Sequence, residues 1–212
     1  MKNHLLILFI FFLSINWVKA QSTAIECDTV ETKTNFVKWL KNNLGANSDF
    51  GDLLDDPPKD IPPDELTATY IYYLSKFIQW NSHLDKTYFT IGVFGNTNVD
   101  EELTKLLKSK GEQNQKWIII HYQEPDELNN ISCLMLYVAE KSEDKVNDVL
   151  EITKDKQIVT IGDNIPNFCE KGGLININDS YEEKKFDVNL SEAKRKGINI
   201  QTQILMSSRI VK

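Results

Sequence analysis

The sequence predicts an α/β fold: a largely parallel sheet with helices on both faces, plus a C-terminal antiparallel strand pair. Three observations lead there. From about residue 64 onward, strand-like apolar runs alternate with helical stretches, the pattern of strand–helix–strand crossovers. The runs YFTIGVF (88–94), KWIIIHY (116–122), CLMLYVA (133–139) and QIVTIGD (157–163) are almost continuously apolar, as strands covered on both faces are. GLININ (173–178) and KKFDVNL (184–190) follow one another with no helix between them, so they read as an antiparallel pair.

The first helix of this domain spans 66–80, LTATYIYYLSKFIQW, with Asp64 or Thr67 as its cap. Leu66, Tyr70, Tyr73, Leu74 and Phe77 form one face, while Ile71, Tyr72, Ile78 and Trp80 carry apolar surface round the other side. An ordinary surface helix has one apolar stripe, so this one needs burial on more than one side. Core packing under cover of the preceding segment answers that need; so does a protein-binding surface, and both readings stand. On the second, Ile71, Tyr72, Phe77 and Trp80 are the partner-binding candidates, with Ile71, Tyr72 and Trp80 expected to face outward, because aromatic residues concentrate at interface centres.

The strand 88–94 runs into Gly92-Val93-Phe94-Gly95-Asn96 and then a helix from Val99 to Lys110. A strand-to-helix junction is where α/β proteins bind phosphate. The G-x-x-G spacing matches neither the dinucleotide nor the P-loop pattern, so Gly92 and Gly95 read as a tight turn. After the strands at 116–122 and 133–139, Ser142 opens a helix to about Thr153. Gly172-Gly173 precedes the strand Leu174–Asn178 as a second turn, and a helix including Ser191 to Lys196 is stopped by Gly197.

The N-terminal third is different. Lys2 and His4 precede LLILFIFFLSI (5–15), and Val18-Lys19-Ala20 supplies small residues at the −3 and −1 positions. That is a cleavable secretory signal peptide, residues 1–20, cut after Ala20; its apolar run is too short for the roughly 20 residues a membrane span needs. Residues 21–63 follow as a separate segment. Phe36, Trp39, Leu40 and Leu44 mark a short helix stopped by Gly45, and 45–63 is an acidic linker holding Pro57, Pro58, Pro62 and Pro63. Its acids lack the spacing of a calcium loop. The third part, 64–212, is the α/β domain.

Composition narrows function. The net charge is −7, and loss of Lys2 and Lys19 with the leader makes the chain more acidic still. Nucleic-acid affinity comes from Lys and Arg, so nucleic acid is not an expected partner; nor, without a polybasic run, is direct membrane insertion or adhesion after cleavage. Cys27, Cys133 and Cys169 are an odd number of thiols with no C-x-x-C. Cys133 should begin one strand and Cys169 should lie beyond the far end of the next, which separates them by more than the roughly 7 Å a disulfide allows. No catalytic arrangement, metal set or cofactor motif is evident. His83 and His121 are the only histidines after the leader, and a Cys169–His121 dyad rests on nothing in the spacing.

These residues, in this order, resemble the YfiR-like family of bacterial periplasmic proteins. The aromatic-rich F-x-x-W helix end is Tyr72, Phe77, Ile78 and Trp80; the I-G-V-x-G strand is Ile91 to Gly95; the F-x-x-x-G-G-x-I segment is Phe168, Gly172, Gly173 and Ile175. An F-x-[VI]-N strand follows at Phe186, Val188 and Asn189, then the turn Ala193, Gly197, Ile198 and Ile200, and a final helix with Ile204 and Leu205. The resemblance covers about 66–212. Asn81 departs from it, since Pro is usual after the Trp, and so does the cysteine set, with only Cys133 and Cys169 in the domain. It implies a non-enzymatic regulator in the periplasm that binds a membrane-bound signalling protein, a diguanylate cyclase or a sensor kinase. A second copy of the chain, in a homodimer, is the other partner to consider. A small-molecule sensor binding near Gly95 and a hydrolase using Cys169 or His121 are the alternatives.

Overall fold

The computed structural model describes residues 61–80, 88–110, 116–178 and 185–211. The leader, the 35–44 helix, most of the acidic linker, Cys27, Asn81 and His83 lie outside the described residues.

The chain enters the fold through α1, Pro63–Phe77. Proline at the first helical position loses no hydrogen bond, and Asp64, Glu65 and Lys76 sit at the ends the helix dipole favours. The helix is as long as its sequence suggests but begins and ends three residues earlier, at Pro63 and Phe77. It stops at Phe77, and Ile78–Trp80 is a strand, β1, pairing antiparallel with β8, Ile198–Ile200. The Phe77 carbonyl accepts from Gln201 N at 3.0 Å. Ile-Gln-Trp set against Ile-Asn-Ile is a period-two pattern on both sides, and β-branched and aromatic residues suit a pleated surface, so tertiary pairing overrides the helical spacing.

Among the described residues the main sheet has seven strands in the order β3-β2-β4-β5-β6-β7-β9. β2 is Tyr88–Phe94, β3 Lys116–Tyr122, β4 Met135–Val138, β5 Val159–Asp163, β6 Ile175–Ile177, β7 Phe186–Asn189 and β9 Ser208–Val211. β3, β2, β4, β5 and β6 are mutually parallel, and β6 and β7 form the expected antiparallel pair. β9 adds parallel to β7; this strand and β8 were not foreseen. α2, Val99–Lys110, joins β2 to β3, and α3, Val146–Thr153, joins β4 to β5. The helix expected from Ser142 begins later, because Glu140–Lys145 is a 3-10 turn that leads into α3.

Two cores cover the two faces. On one, α1 and α2 bring Tyr70, Ile71, Leu74, Phe77, Val99 and Leu103 onto Phe89, Ile91, Val93, Met135, Tyr137 and Ile161, joined by Ile198, Ile200 and Ile204 from the C-terminal segment. That segment holds α4, Leu190–Arg195, and α5, Thr202–Met206. On the other face, Leu128, Ile131, Val146, Val149, Leu150 and Phe168 pack on Phe94, Leu136 and Val138. The continuous apolar character of β4 and β5 thus matches double cover. For β3 that expectation fails: among the described residues it is an edge strand, with Ile118 and Ile120 exposed at 37% and 36%. An apolar run records hydrophobicity, not which crossover places the strand in the centre.

Candidate functional site

In an open α/β sheet, ligands bind outside the carboxyl ends of the strands where the strand order reverses. Here that point is β2, whose chain continues to β3 on one side and whose other neighbour is β4. Gly95 follows β2 with φ of 100°, a conformation glycine adopts at little cost. A side chain at this position would collide with Ser142 Oγ, and Ala139 Cβ is also close at 3.3 Å. Ala139 N donates to Phe94 O at 3.0 Å. The turn after β4 therefore fills the crevice with protein.

The polar groups around it satisfy one another. Thr97 Oγ1 and Asn98 Nδ2 each donate to Asp64 at 3.3 Å, tying the loop after β2 to the first turn of α1. The buried Tyr137 hydroxyl donates to Asp163 at 2.5 Å, and burial, reinforced by Asp163, pushes its pKa well up. His121, near the end of β3, has Nδ1 3.0 Å from Asp100 Oδ2 and Nε2 2.7 Å from Gly95 O. Asp100 and Gly95 O only accept, which suits the doubly protonated ring, and the Gln123 side-chain amide lies 2.9 Å from the same Nε2. Burial works to lower the His121 pKa, but the bonds to Asp100 and Gly95 outweigh it and the net shift is upward.

The remaining glycines have local roles. A Cβ on Gly92 would crowd Leu136 and Tyr122 across the sheet, and one on Gly173 would run into the Phe168 ring. Gly172, at φ of 104°, donates to Cys169 O at 3.1 Å, and Gly173 donates to Phe168 O at 2.9 Å. This is the tight turn that brings the chain back into β6.

The Cys169–His121 dyad is not assembled. Cys169 lies against Leu174 O and Asp187 O at 3.7 and 3.4 Å, next to β7, whereas His121 is on β3. The five strand spacings between them amount to roughly 24 Å. Burial, then Asp187, pushes the Cys169 thiol up to about 12. Burial does the same for Cys133, also to about 12, and a thiol that stays protonated is a poor nucleophile. Both cysteines are buried and unbonded, as their positions in the strand pattern required. Among the described residues no cluster of His, Cys, Asp and Glu could hold a metal ion, and no helix is long and apolar enough to cross a membrane.

The aromatic helix face is also placed differently from expectation. Ile71 is fully buried, Phe77 nearly so, and Tyr72 is 8% exposed. Tyr72 stacks on Trp117 of β3 at 6.3 Å between ring centroids and meets Tyr73 edge-on at 5.3 Å; Trp80 meets Phe89 edge-on at 5.8 Å, and Phe89 lies 4.4 Å from Trp117. The second apolar side of α1 is covered by the sheet edge, so Ile71 and Tyr72 do not face outward. Only Trp80 of the four stays partly exposed. Among the described residues the large exposed apolar side chains are instead Tyr88, Ile118 and Ile120 on β2 and β3, with Leu190 and Ile210 elsewhere. The sequence holds no signal for them, because the same apolar run would have served a central strand.

A second concavity of about 520 Å³ lies beside the C-terminal ribbon, lined by Leu190, Ala193, Lys194, Ile198, Ile200 and Leu205 among others. It brings together no titratable cluster. A family model described as YfiR/HmsC-like matches residues 64–209. No curated protein matches the chain.

Proposed function

The chain belongs to the YfiR/HmsC-like family, and from that premise we propose that it is an exported, non-enzymatic regulator that binds a membrane-bound signalling protein in the periplasm. The family match across the whole α/β domain is the observation that carries this reading. The signal-peptide pattern of residues 1–20 supports export, with the mature protein starting at Gln21. Among the described residues the crevice at Gly95 is filled, the polar groups round it satisfy one another and both thiols are buried, which favours recognition over turnover. The partner is a diguanylate cyclase or a sensor kinase with an extracytoplasmic sensing domain.

Cross-linking in intact cells that express the full chain, followed by capture from solubilised membranes, tests the reading. It should recover an inner-membrane protein with a cytoplasmic signalling domain, and the captured chain should begin at Gln21. Capture of soluble envelope proteins alone, or a chain that keeps residues 1–20 and stays in the cytoplasm, would overturn it.

A further inference from the structure

We infer that His121 is a pH-operated latch on the loop after β2: its charged ring holds the Gly95 carbonyl, and its neutral ring releases that carbonyl and gives Nε2 to the Gln123 amide. This goes beyond the partner reading above and does not depend on it.

The case begins with the competing neighbours of one atom. His121 Nε2 lies 2.7 Å from Gly95 O and 2.9 Å from Gln123 Nε2. The carbonyl can only accept a hydrogen bond, and the amide nitrogen can only donate one. No single protonation state of the ring satisfies both. A protonated Nε2 donates to Gly95 O; a bare Nε2 accepts from Gln123. The other ring nitrogen does not choose. Nδ1 is 3.0 Å from Asp100 Oδ2, and a carboxylate only accepts, so Nδ1 keeps its proton in both forms. Asp100 thereby fixes the neutral tautomer as the one with a bare Nε2. Loss of one proton moves one bond from the loop to Gln123.

The two partners rest on different supports. The Gln123 backbone is held on both sides, since its N–H donates to Glu127 Oε2 at 2.6 Å and its carbonyl accepts from Lys145 Nζ at 3.2 Å. Gly95 is held through its N–H, which donates to Tyr122 O at 2.9 Å, but its carbonyl belongs to the next peptide. Gly95 has φ of 100°, and a residue without Cβ lets that peptide turn at little cost. Gly95 is also buried, so a released carbonyl is costly to leave unpaired. The peptide therefore turns towards water and takes the exposed Asn96 and Asn98 with it. Thr97 and Asn98 are tied to Asp64 in the first turn of α1, which passes the movement to the start of that helix.

The charges round the ring set the direction. Asp100 faces it from α2, and Glu127 from the 3-10 turn Pro125–Asn130. Burial opposes the ring's charge, and the bonds to Asp100 and Gly95, with the fields of Asp100 and Glu127, outweigh it. Glu124 and Lys145, next along, pair with each other at 2.9 Å, and residues 95–98 are uncharged. Backbone N–H groups of Glu124 and Gln123 hold the Glu127 carboxyl below its ordinary range, so it stays ionised while the ring titrates. The latch is accordingly shut at the ordinary imidazole value of about 6.5 and opens above it.

An NMR titration of the isotope-labelled mature chain from pH 5.5 to pH 9 is the test, with His83→Gln assigning the other imidazole. The His121 ring should lose its proton from Nε2 and keep the one on Nδ1. The Gly95 carbonyl carbon and the Asn96 and Asn98 amides should move with the same midpoint, and His121→Gln should abolish that movement. Gln123→Ala deprives only the neutral ring of a partner. It should raise the midpoint by roughly 0.4 of a pH unit, the size of one weak neutral hydrogen bond, and leave the loop signals at pH 5.5 in place. A ring that merely braces the fold would not answer to Gln123 in this way. The proposal is overturned by a neutral ring that carries its proton on Nε2, by a Gly95 carbonyl that does not titrate, or by a midpoint that Gln123→Ala leaves unchanged or lowers. Each outcome is read on the purified chain, so failure here leaves the membrane-partner reading untouched.

Discussion

At the scale of single residues, His121 is the most informative group. It bridges the start of α2, through Asp100, and the loop after β2, through Gly95 O, and its folded pKa is raised. A base whose pKa is higher in the folded state contributes stability that is complete below the unfolded value, about 6.5, and is lost as pH rises through the folded value. His121→Gln should therefore cost more stability at pH 5.5 than at pH 8.5 in urea titrations. Asp100→Asn should bring the imidazole titration, followed by NMR, down to lower pH. Equal costs at both pH values would mean that the ring is neutral in the folded protein and that Asp100 does not hold it.

Elements show where local pattern and tertiary context part. Tyr72 has the sequence appearance of a surface aromatic, one position round from the main stripe of α1, yet it is buried against Trp117. Tyr72→Ala should accordingly destabilise the domain by about 3 kcal/mol, as aromatic-to-alanine changes in cores do, with a clear drop in melting temperature. A variant with unchanged stability would return Tyr72 to the surface. The same helix explains what was legible. Its existence, the positions of β2, α2 and β3 and the β6–β7 pairing follow from local apolar period and from turn residues such as Gly95, Gly172 and Gly197, whose backbone needs are local. The switch at Ile78 was not legible, because a helical and an extended reading share the same apolar residues until Ile198–Ile200 arrives from 120 residues away. The edge position of β3 was hidden for a related reason: whether the chain turns left or right after β2 is a property of crossovers, not of KWIIIHY. The site suffered most, since the crevice at Gly95 is closed by Ser142, a side chain that no motif links to it.

The whole molecule is an acidic chain whose last strand is fastened by Arg209, which pairs closely with Asp187 and lies 3.6 Å from Glu170. Arg209 of β9 donates Nε and Nη2 to the two carboxylate oxygens of Asp187 on β7, at 2.8 and 2.6 Å, and Asn178 Nδ2 also donates to Asp187 at 3.2 Å. A fork of two parallel bonds fixes geometry as well as charge. Arg209 itself is mostly exposed, but the Asp187 side chain is 11% exposed. Burial acts to raise the Asp187 pKa, and the bonds from Arg209 and Asn178 overcome it, so the net shift is downward. A carboxyl depressed in the folded state gives stability that is present above its unfolded pKa, about 3.9, and lost as pH falls through the folded value. Closing the sheet at this end is therefore an acid-sensitive device. Arg209→Gln removes the fork but leaves Ile210 and Val211 to continue the β7 ladder, so the domain should still fold at neutral pH with a lower urea midpoint. The gap between the two proteins should narrow as pH drops below about 4, because protonation of Asp187 takes from the unmodified chain what the substitution has already removed. A gap that persists unchanged at pH 3 would assign the loss to packing of the arginine stem along β9 and not to its charge.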